Sequence, residues 1–341
     1  MTKPLLDVLN GKSVKSSPIW MMRQAGRHLP EYLELRAKSE NFIEFCMTPE
    51  RAAEATLQPI RRYAMDGAIL FADILLIPMG LGRKVDFIKG IGPVLEPIKP
   101  SDISALKLKG CADRLSNIYQ TVSLVKAALD DKTTLIGFAG GPWTVATYMI
   151  EGRGSPSKEV AKRFAYQHPE AMADLLSILA RASADYLIEQ AKAGADVLKI
   201  FESWAEGLSP FQFENYVIKP TQQIITRIRA AGITCPIMGF PRAAGLNAIK
   251  YAHDTGISAM AIGTDTSIAA MRERLPKNMP LQGNLDPLLL RMGGEALMAG
   301  VDRVLEDGKG GPHIFNLGHG VSPDVKIESV QAVVNRVRGI A

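Results

Sequence analysis

Two arginines flank a short, bendable loop near the start of the chain. Arg23 and Arg27 follow an apolar run in PIWMMRQAGRHLPEY and enclose Gln24-Ala25-Gly26. A guanidinium is permanently charged and presents a planar set of N–H donors that suits carboxylate or phosphate, while glycine lets the backbone approach a ligand closely. The spacing therefore predicts an anion clamp. The structural alternative is a pair of surface arginines in ion pairs with Glu31 or Glu34.

A carboxylate and a phenol are the next candidates. Asp73 follows an apolar run in FADILLIPMG, where its charge requires a cation or an N–H donor unless it is a helix cap or a salt-bridge partner. Tyr148, in GFAGGPWTVATYMIEG, lies one helical turn beyond Thr144 and faces the same side. Core packing is the commoner role for such a tyrosine. The preceding Gly140-Gly141 is suited to an anion nest but lacks the spacing of a dinucleotide fingerprint.

A serine and a histidine complete the set. Ser203, in FESWAEGLSP, lacks the GxSxG pattern of a nucleophile, so we predict that its hydroxyl bonds a ligand carboxylate. His319 lies between two glycines in FNLGHGVSPD, which exposes its imidazole; a solvent-facing loop histidine is the alternative. None of the five histidines belongs to an HxH, HxxE or HExxH pattern, so we expect no metal.

The elements that position these residues alternate between short β-like runs and amphipathic helical segments, the pattern of parallel βαβ units. Strands are predicted at 19–22, 68–71, 133–138, 196–201, 236–239, 258–262, 280–283 and 313–317. Helices are predicted at 49–64, 170–193, 211–231, 247–254, 265–275 and 324–338. Eight strands with intervening helices predict a (β/α)8 TIM barrel, and no linker divides residues 1–341, so one domain is expected. Residues 83–88 and 93–98 are predicted to form a hairpin in an insert.

Polar residues cluster at the carboxyl ends of the predicted strands. The residues concerned are Arg23, Arg27, Asp73, Glu202, Ser203, Thr264, Asp265, Asn284, Asp286 and His319. Because (β/α)8 enzymes build their active sites on this face, the side chains are predicted to converge on one site.

Composition limits the class of function. Lys and Arg number 40 against 35 Asp and Glu, a net charge of +5 that suits a small anionic ligand and is mild for nucleic acid. No apolar run approaches the roughly 20 residues that span a bilayer, and no signal peptide is recognised. Cys46, Cys111 and Cys235 are widely spaced, so neither disulfides nor a zinc site is expected. A cytoplasmic location fits best.

Together these segments resemble the uroporphyrinogen decarboxylase family. PIWMMRQAGRHLPEY, FADILLIPMG, GFAGGPWTVATYMIEG, FESWAEGLSP, GNLDP and FNLGHG occur in the family's order and cover essentially the whole chain. The resemblance implies a single (β/α)8 barrel, usually a homodimer, that removes CO2 from the four acetate arms of uroporphyrinogen III to give coproporphyrinogen III. It implies no cofactor and no metal.

The resemblance also implies roles for particular residues. Residues 23–27 match the substrate-binding loop, Asp73 the central catalytic carboxylate, and three more residues the remaining substrate contacts: Tyr148, Ser203 and His319. Arg36 is a weaker match, and His28 stands where many members have tyrosine.

The implied chemistry needs no cofactor, because a pyrrole protonated at its α-carbon accepts the electrons left by CO2. An ionised Asp73 would stabilise the resulting cation. The proton donor is left open among Arg23, Arg27 acting through solvent, and His319.

Two other functions remain as alternatives. A cobamide-dependent methyltransferase with a similar barrel would activate a thiol on zinc, commonly held by HxC and a later cysteine. The fifth predicted strand reads CPIMGFP, and no cysteine follows Cys235, which disfavours this reading. A noncatalytic porphyrin-binding protein is the second alternative, disfavoured by the intact set of Arg23, Arg27, Asp73 and Tyr148.

Overall fold

The structure, a computed structural model, describes residues 3–12, 14–88 and 90–340. Its centre is a curled sheet of seven parallel strands in the spatial order β1-β4-β5-β6-β7-β8-β9. The strands are β1 (Gly67–Ile69), β2 (Val85–Ile88), β3 (Gly92–Leu95), β4 (Thr134–Gly140), β5 (Val197–Glu202), β6 (Ile237–Pro241), β7 (Ala259–Ala261), β8 (Leu281–Leu285) and β9 (His313–Leu317). In the sheet, every residue except Phe201 and Asn284 is buried, as expected for parallel strands covered on both faces. Seven predicted strands are thus confirmed.

The segment before the sheet lies between its two edges. Ile19 forms one parallel bridge with Phe315 of β9, whose N–H donates to Pro18 O at 2.9 Å. On the other side, Ile19 O accepts the N–H of Asp66 at 2.8 Å. The prediction of a regular strand at 19–22 is wrong, because the carboxylate of Asp66, rather than a neighbouring strand, accepts the Ile19 N–H at 2.7 Å.

Helices surround the sheet and cover its outer face. They are α1 (Pro4–Leu9), α2 (Pro30–Arg36), α3 (Phe42–Met47), α4 (Pro49–Tyr63), α5 (Leu76–Gly80), α6 (Ser116–Ala128), α7 (Pro142–Glu151), α8 (Glu159–Gln167), α9 (Pro169–Lys192), α10 (Pro210–Phe213), α11 (Lys219–Ala230), α12 (Asn247–Asp254), α13 (Ile268–Arg272), α14 (Pro287–Met292), α15 (Gly294–Gly308) and α16 (Ile327–Arg338). Among the described residues, none of these helices is both long and apolar enough to cross a membrane.

The helix predictions are confirmed at 49–64, 170–193 and 247–254 to within one residue. The predicted helix at 211–231 is divided into α10, a π-helical turn at Glu214–Ile218, and α11. Pro220 explains the interruption, because it has no N–H to donate to the carbonyl four residues earlier.

Two other helices begin later than predicted, at Ile268 and Ile327. The predicted hairpin is confirmed as β2 and β3, which pair antiparallel, although Lys89 in its connection lies outside the described residues.

The carboxyl ends of the parallel strands open together on one side of the sheet. The residues that follow them are 21–27, 70–75, 141–148, 203–206, 242–246 and 318–321, and we call this region the mouth. Beneath it, one contiguous cluster of buried apolar side chains runs from α1 to α16. The mouth therefore rests on a packed core.

Candidate active site

The arginine loop is fixed to the sheet by a buried glutamine. Gln24 is 1% exposed; its Oε1 accepts the N–H of Met21 at 3.0 Å, and its Nε2 donates to Gly67 O of β1 at 2.9 Å. Arg23 has a φ of +62°, a left-handed conformation that is uncommon for a residue with a Cβ. The amide of Gln24 thus holds the backbone while Arg23 and Arg27 are exposed and Ala25 is half-buried.

The two arginines are available for a ligand. Glu31, which the alternative reading offered as an ion partner, instead binds Arg62, with N–O distances of 2.7 and 2.9 Å. In the described part of the chain, neither Arg23 nor Arg27 forms an ion pair. The Arg23 side chain runs over Gly320, where an added Cβ would lie 2.8 Å from the arginine Cγ. Gly320 therefore leaves the space that Arg23 occupies.

Asp73 is half-buried in the turn between β1 and α5. Its Oδ1 accepts the N–H of Leu75 at 2.8 Å. Loss of hydration raises the pKa of Asp73 to about 6, while the Leu75 N–H and the charge of Arg23 act in the opposite direction. At pH 7 the carboxylate is mostly ionised, and the charge of Arg23 acts on it.

Tyr148 is carried by α7, which begins at a buried carboxyl group from a neighbouring strand. Glu202, the last residue of β5, accepts the N–H of Thr144 at 2.7 Å and also the Thr144 hydroxyl. Burial raises the pKa of Glu202 to about 8, so the group is largely neutral at pH 7. A Cβ on Gly141 would overlap this carboxyl group. The predicted anion nest is thus filled by the protein's own side chain.

The phenol ring of Tyr148 is half-buried and meets Trp204 edge to face, with ring centroids 5.0 Å apart. Burial raises the pKa of Tyr148, and the charge of Asp73 adds to the rise, whereas Arg23 and Arg242 oppose it. Asp73, Arg23 and Tyr148 therefore act on one another at the mouth. The phenol remains protonated at neutral pH and can donate a hydrogen bond.

His319 is half-buried next to Arg23. Its Nδ1 accepts the N–H of Gly320 at 2.7 Å. Burial lowers the pKa of His319 to about 4; Arg23 and Arg242 lower it further, and Glu206 opposes them. At neutral pH the ring is uncharged, with its proton on Nε2, so it is a hydrogen-bond donor rather than a strong acid.

A third arginine at the mouth was missed by the sequence analysis. Arg242 directly follows β6, and its Nε donates to the backbone oxygen of Ser203 at 2.8 Å. Ser203 itself is half-buried and directly follows β5. The signal was present, because Arg242 also occupies a strand end, but PRAAG resembles an ordinary loop.

Several other polar residues have structural partners instead. Asn284 donates to Gly263 O at 2.8 Å, and Asp286 caps α14 by accepting the Leu288 N–H at 2.8 Å. His28 is buried against the ring of Tyr63 in α4, with ring centroids 6.4 Å apart. Arg36 donates to Ser39 O at 2.9 Å and lies over the Phe45 ring at 5.9 Å.

The donors that a zinc-dependent methyltransferase would require are not assembled. Within residues 3–12, 14–88 and 90–340, no three His, Cys, Asp or Glu side chains cluster as metal ligands. Cys235 precedes β6 and so lies at the amino end of the sheet, away from the mouth. Its pKa is raised by burial, which opposes formation of a thiolate.

Fold and mouth together define a class of α/β protein in which polar side chains gather where the parallel strands end, the face on which (β/α)8 enzymes build their active sites. Comparison with known proteins narrows this class. The profile of the family described as uroporphyrinogen decarboxylase (URO-D) matches residues 1–340. The chain belongs to the uroporphyrinogen decarboxylase family.

Relatives with that name match nearly the whole chain. The uroporphyrinogen decarboxylase of Maricaulis maris is 52% identical over 336 residues, covering 98% of this chain and 97% of the relative. That of Hyphomonas neptunium is 53% identical over 337 residues, covering 98% of each chain. These similarities place the chain among the carboxy-lyases.

Solved structures share the architecture. A methyltransferase from Methanosarcina mazei superposes with a TM-score of 0.82 at 19% identity, covering 98% of this chain and 97% of the other. A B12-independent methionine synthase from Shewanella sp. W3-18-1 gives 0.53 at 11% identity, with 95% of each chain covered. At these identities the likeness shows the fold alone.

Proposed function

We propose that this chain decarboxylates the four acetate side chains of uroporphyrinogen III to give coproporphyrinogen III. The observation that carries the proposal is the half-buried carboxylate of Asp73 at a mouth that also presents Arg23 and Arg27, which form no ion pair with any residue that the structure describes. This charge pattern suits a ligand with anionic arms and a centre that becomes cationic.

Each decarboxylation breaks the C–C bond between an acetate methylene carbon and its carboxylate, and it forms a C–H bond on the same methylene carbon. Protonation of the pyrrole α-carbon gives a cationic ring, into which the electrons of the breaking C–CO2 bond flow. The released CO2 leaves a methylene carbon that takes up a proton, while the α-carbon loses its own. One proton is consumed for each acetate converted to methyl. Asp73 lowers the energy of the cationic ring by facing its N–H groups.

The other site residues hold the substrate. Arg23 and Arg27 bind its carboxylates, the loop of Gln24-Ala25-Gly26 keeps them in place, and Tyr148, Ser203 and His319 donate hydrogen bonds. Because His319 and Tyr148 are both neutral at pH 7, we assign the proton to solvent ordered by the two arginines.

The proposed architecture is a single domain of residues 1–341 in which the segment at Ile19 closes the sheet as the eighth member of a (β/α)8 barrel. Its hydrogen bonds to both sheet edges support closure, and the contiguous core supports one domain. Residues 1, 2 and 341 of this range lie outside the described residues.

A homodimer is proposed from a group of exposed apolar side chains near the mouth. Phe211 is 71% exposed, Leu246 80% and Tyr166 68%. Gln212, next to Phe211, donates to the hydroxyl of Tyr166 at 2.9 Å, and Asn247, next to Leu246, donates to Leu208 O at 3.5 Å. Large apolar groups in one area favour a protein partner. We also propose that the enzyme is cytoplasmic and works without a cofactor or a metal.

The experiment is an anaerobic incubation of purified protein with uroporphyrinogen III. Products are oxidised to porphyrins and separated by carboxylate number. We expect species with seven, six and five carboxylates to appear and then give way to coproporphyrin. Folded protein that leaves the octacarboxylate unchanged would overturn the proposed activity.

A further inference from the structure

A third guanidinium lies at the mouth, away from the arginine loop. Arg242 is half-buried, and its bond from Nε to Ser203 O fixes the plane of the guanidinium. Its Nη1 has no hydrogen-bond partner within the part of the chain that the structure describes. One edge of the donor fork is therefore free to bind a ligand.

The charge of Arg242 is only partly neutralised. Both carboxylate oxygens of its acidic neighbour, Glu206, lie 3.5 Å from Arg242 Nη2. The same Glu206 accepts a hydrogen bond from Nζ of Lys158 at 2.7 Å, and the Lys158 side chain is 2% exposed. Two cations thus share one carboxylate, leaving a net charge of +1 at this side of the mouth. Lys158 also donates to Pro156 O at 3.0 Å, which anchors the group.

Arg242 and Arg23 approach the mouth from opposite sides. Starting from the segment at Ile19, the neighbouring positions are β1, β4, β5 and β6, so Arg242 is four positions from the arginine loop. Burial is the main cause of the lowered pKa of His319, and both guanidinium groups lower it further. Both also oppose the rise that burial causes in the pKa of Tyr148. Both guanidinium groups therefore lie close enough to His319 and Tyr148 for their charges to act on them.

We propose that Arg242 binds a carboxylate of the substrate on the side of the mouth opposite Arg23 and Arg27. The inference rests on the proposed function, because a cyclic tetrapyrrole carries carboxylates around its whole perimeter. Cations on one side alone would leave the far arms without fixed partners. Glu206 and Lys158 are positioning residues that hold the guanidinium at the required place.

The test is equilibrium binding of uroporphyrin III, a stable octacarboxylate, followed by its fluorescence, together with steady-state kinetics on uroporphyrinogen III. Arg242→Gln is expected to raise Kd and KM about 10- to 100-fold with a smaller change in kcat, because a charged hydrogen bond made in the ground state is lost. The salt dependence of Kd should also become shallower. Arg242→Lys should recover part of the affinity.

The matched control is Arg227→Gln, the same change at an exposed arginine on α11, which should leave both constants unchanged. A Kd within about twofold of wild type for Arg242→Gln would overturn the inference. The inference would also be overturned if Arg242→Gln and Arg242→Lys lost the same affinity and the salt dependence of Kd stayed unaltered. That result would indicate that Arg242 only supports the backbone at Ser203. If the wild-type protein decarboxylates uroporphyrinogen III and Arg242→Gln leaves Kd unchanged, only this inference is refuted. If Arg242→Gln changes Kd as expected but the wild-type protein shows no turnover, only the proposed function is refuted.

Discussion

Replacing Gly141 with alanine tests how the mouth is supported. The backbone itself tolerates alanine, since φ is −65° and ψ is 146°. An added Cβ would, however, overlap Oε2 of Glu202 and lie 2.6 Å from its Cδ. Moving this buried carboxyl group breaks its bond to the Thr144 N–H, which costs about 1–2 kcal/mol as a lost cap. Overpacking adds about 1–3 kcal/mol. We expect the free energy of unfolding to fall by about 2–5 kcal/mol.

Urea denaturation measures this change, and the decarboxylation rate should fall with it because α7 carries Tyr148. Gly310→Ala is the matched control: its nearest neighbour would be Arg272 Cγ at 3.6 Å, so a change within about 0.5 kcal/mol is expected. In a Glu202→Ala background the two closest contacts disappear, so Gly141→Ala should cost much less. Equal costs in both backgrounds, or a Gly141→Ala variant as stable as wild type, would refute the overlap as the cause.

Three further predictions concern pH. Because the pKa of Asp73 is about 6 and the ionised form is required, kcat/KM should fall as pH drops through 6, to about a tenth of its plateau at pH 5; a flat profile would contradict this. His313 has its pKa lowered by burial to about 4, so stability present above pH 6.5 should be lost toward pH 4, by up to about 3 kcal/mol, and less in His313→Gln. The pKa of Glu202 is raised from 4.5 to about 8, so unfolding should become easier as pH rises from about 4.5 to 8, and Glu202→Gln, measured by urea denaturation, should remove that decline.

The strands could be predicted because each is buried on both faces and so forms a short apolar run bounded by turns. The run at 313–317 coincides with β9. The segment at 19–22 shows the limit of this approach. Its apolar pattern resembles a strand, but whether it forms one depends on Asp66, which lies elsewhere in the chain and takes the Ile19 N–H. The apolar pattern of residues 19–22 cannot predict a hydrogen bond to a residue 47 positions away.

Glu202 and Arg242 show the same limit at the mouth. Both follow or end a strand, so the rule that selected Asp73 and His319 applies equally to them. Glu202 instead caps a helix 58 positions earlier in the chain, at Thr144. The availability of Arg242 depends on Lys158 neutralising Glu206, a pairing across 48 positions. Burial and long-range pairing decide which strand-end side chains remain free.

Lys199 lies in a predicted strand, but nothing in the sequence indicated its side-chain environment. It lies in β5 with no side-chain exposure, and its Nζ lies 5.1 Å from the ring centre of Trp20 and 5.2 Å from that of Phe201. Burial lowers its pKa well below the usual value, while the ring faces favour the cation. A lysine in an apolar strand gives no local sign of whether it points to solvent or into the sheet.

The ionised carboxylate of Asp73 carries the proposed chemistry, and Asp73→Asn tests it most directly. Asparagine keeps the oxygen that accepts the Leu75 N–H and removes only the charge. Asp286→Asn is the control, because Asp286 makes the same 2.8 Å bond to the N–H two residues on. Under single-turnover conditions, the first decarboxylation should slow about 10²- to 10³-fold in Asp73→Asn and be unchanged in the control. A rate for Asp73→Asn within about fivefold of wild type, in folded protein, would contradict the electrostatic role of Asp73.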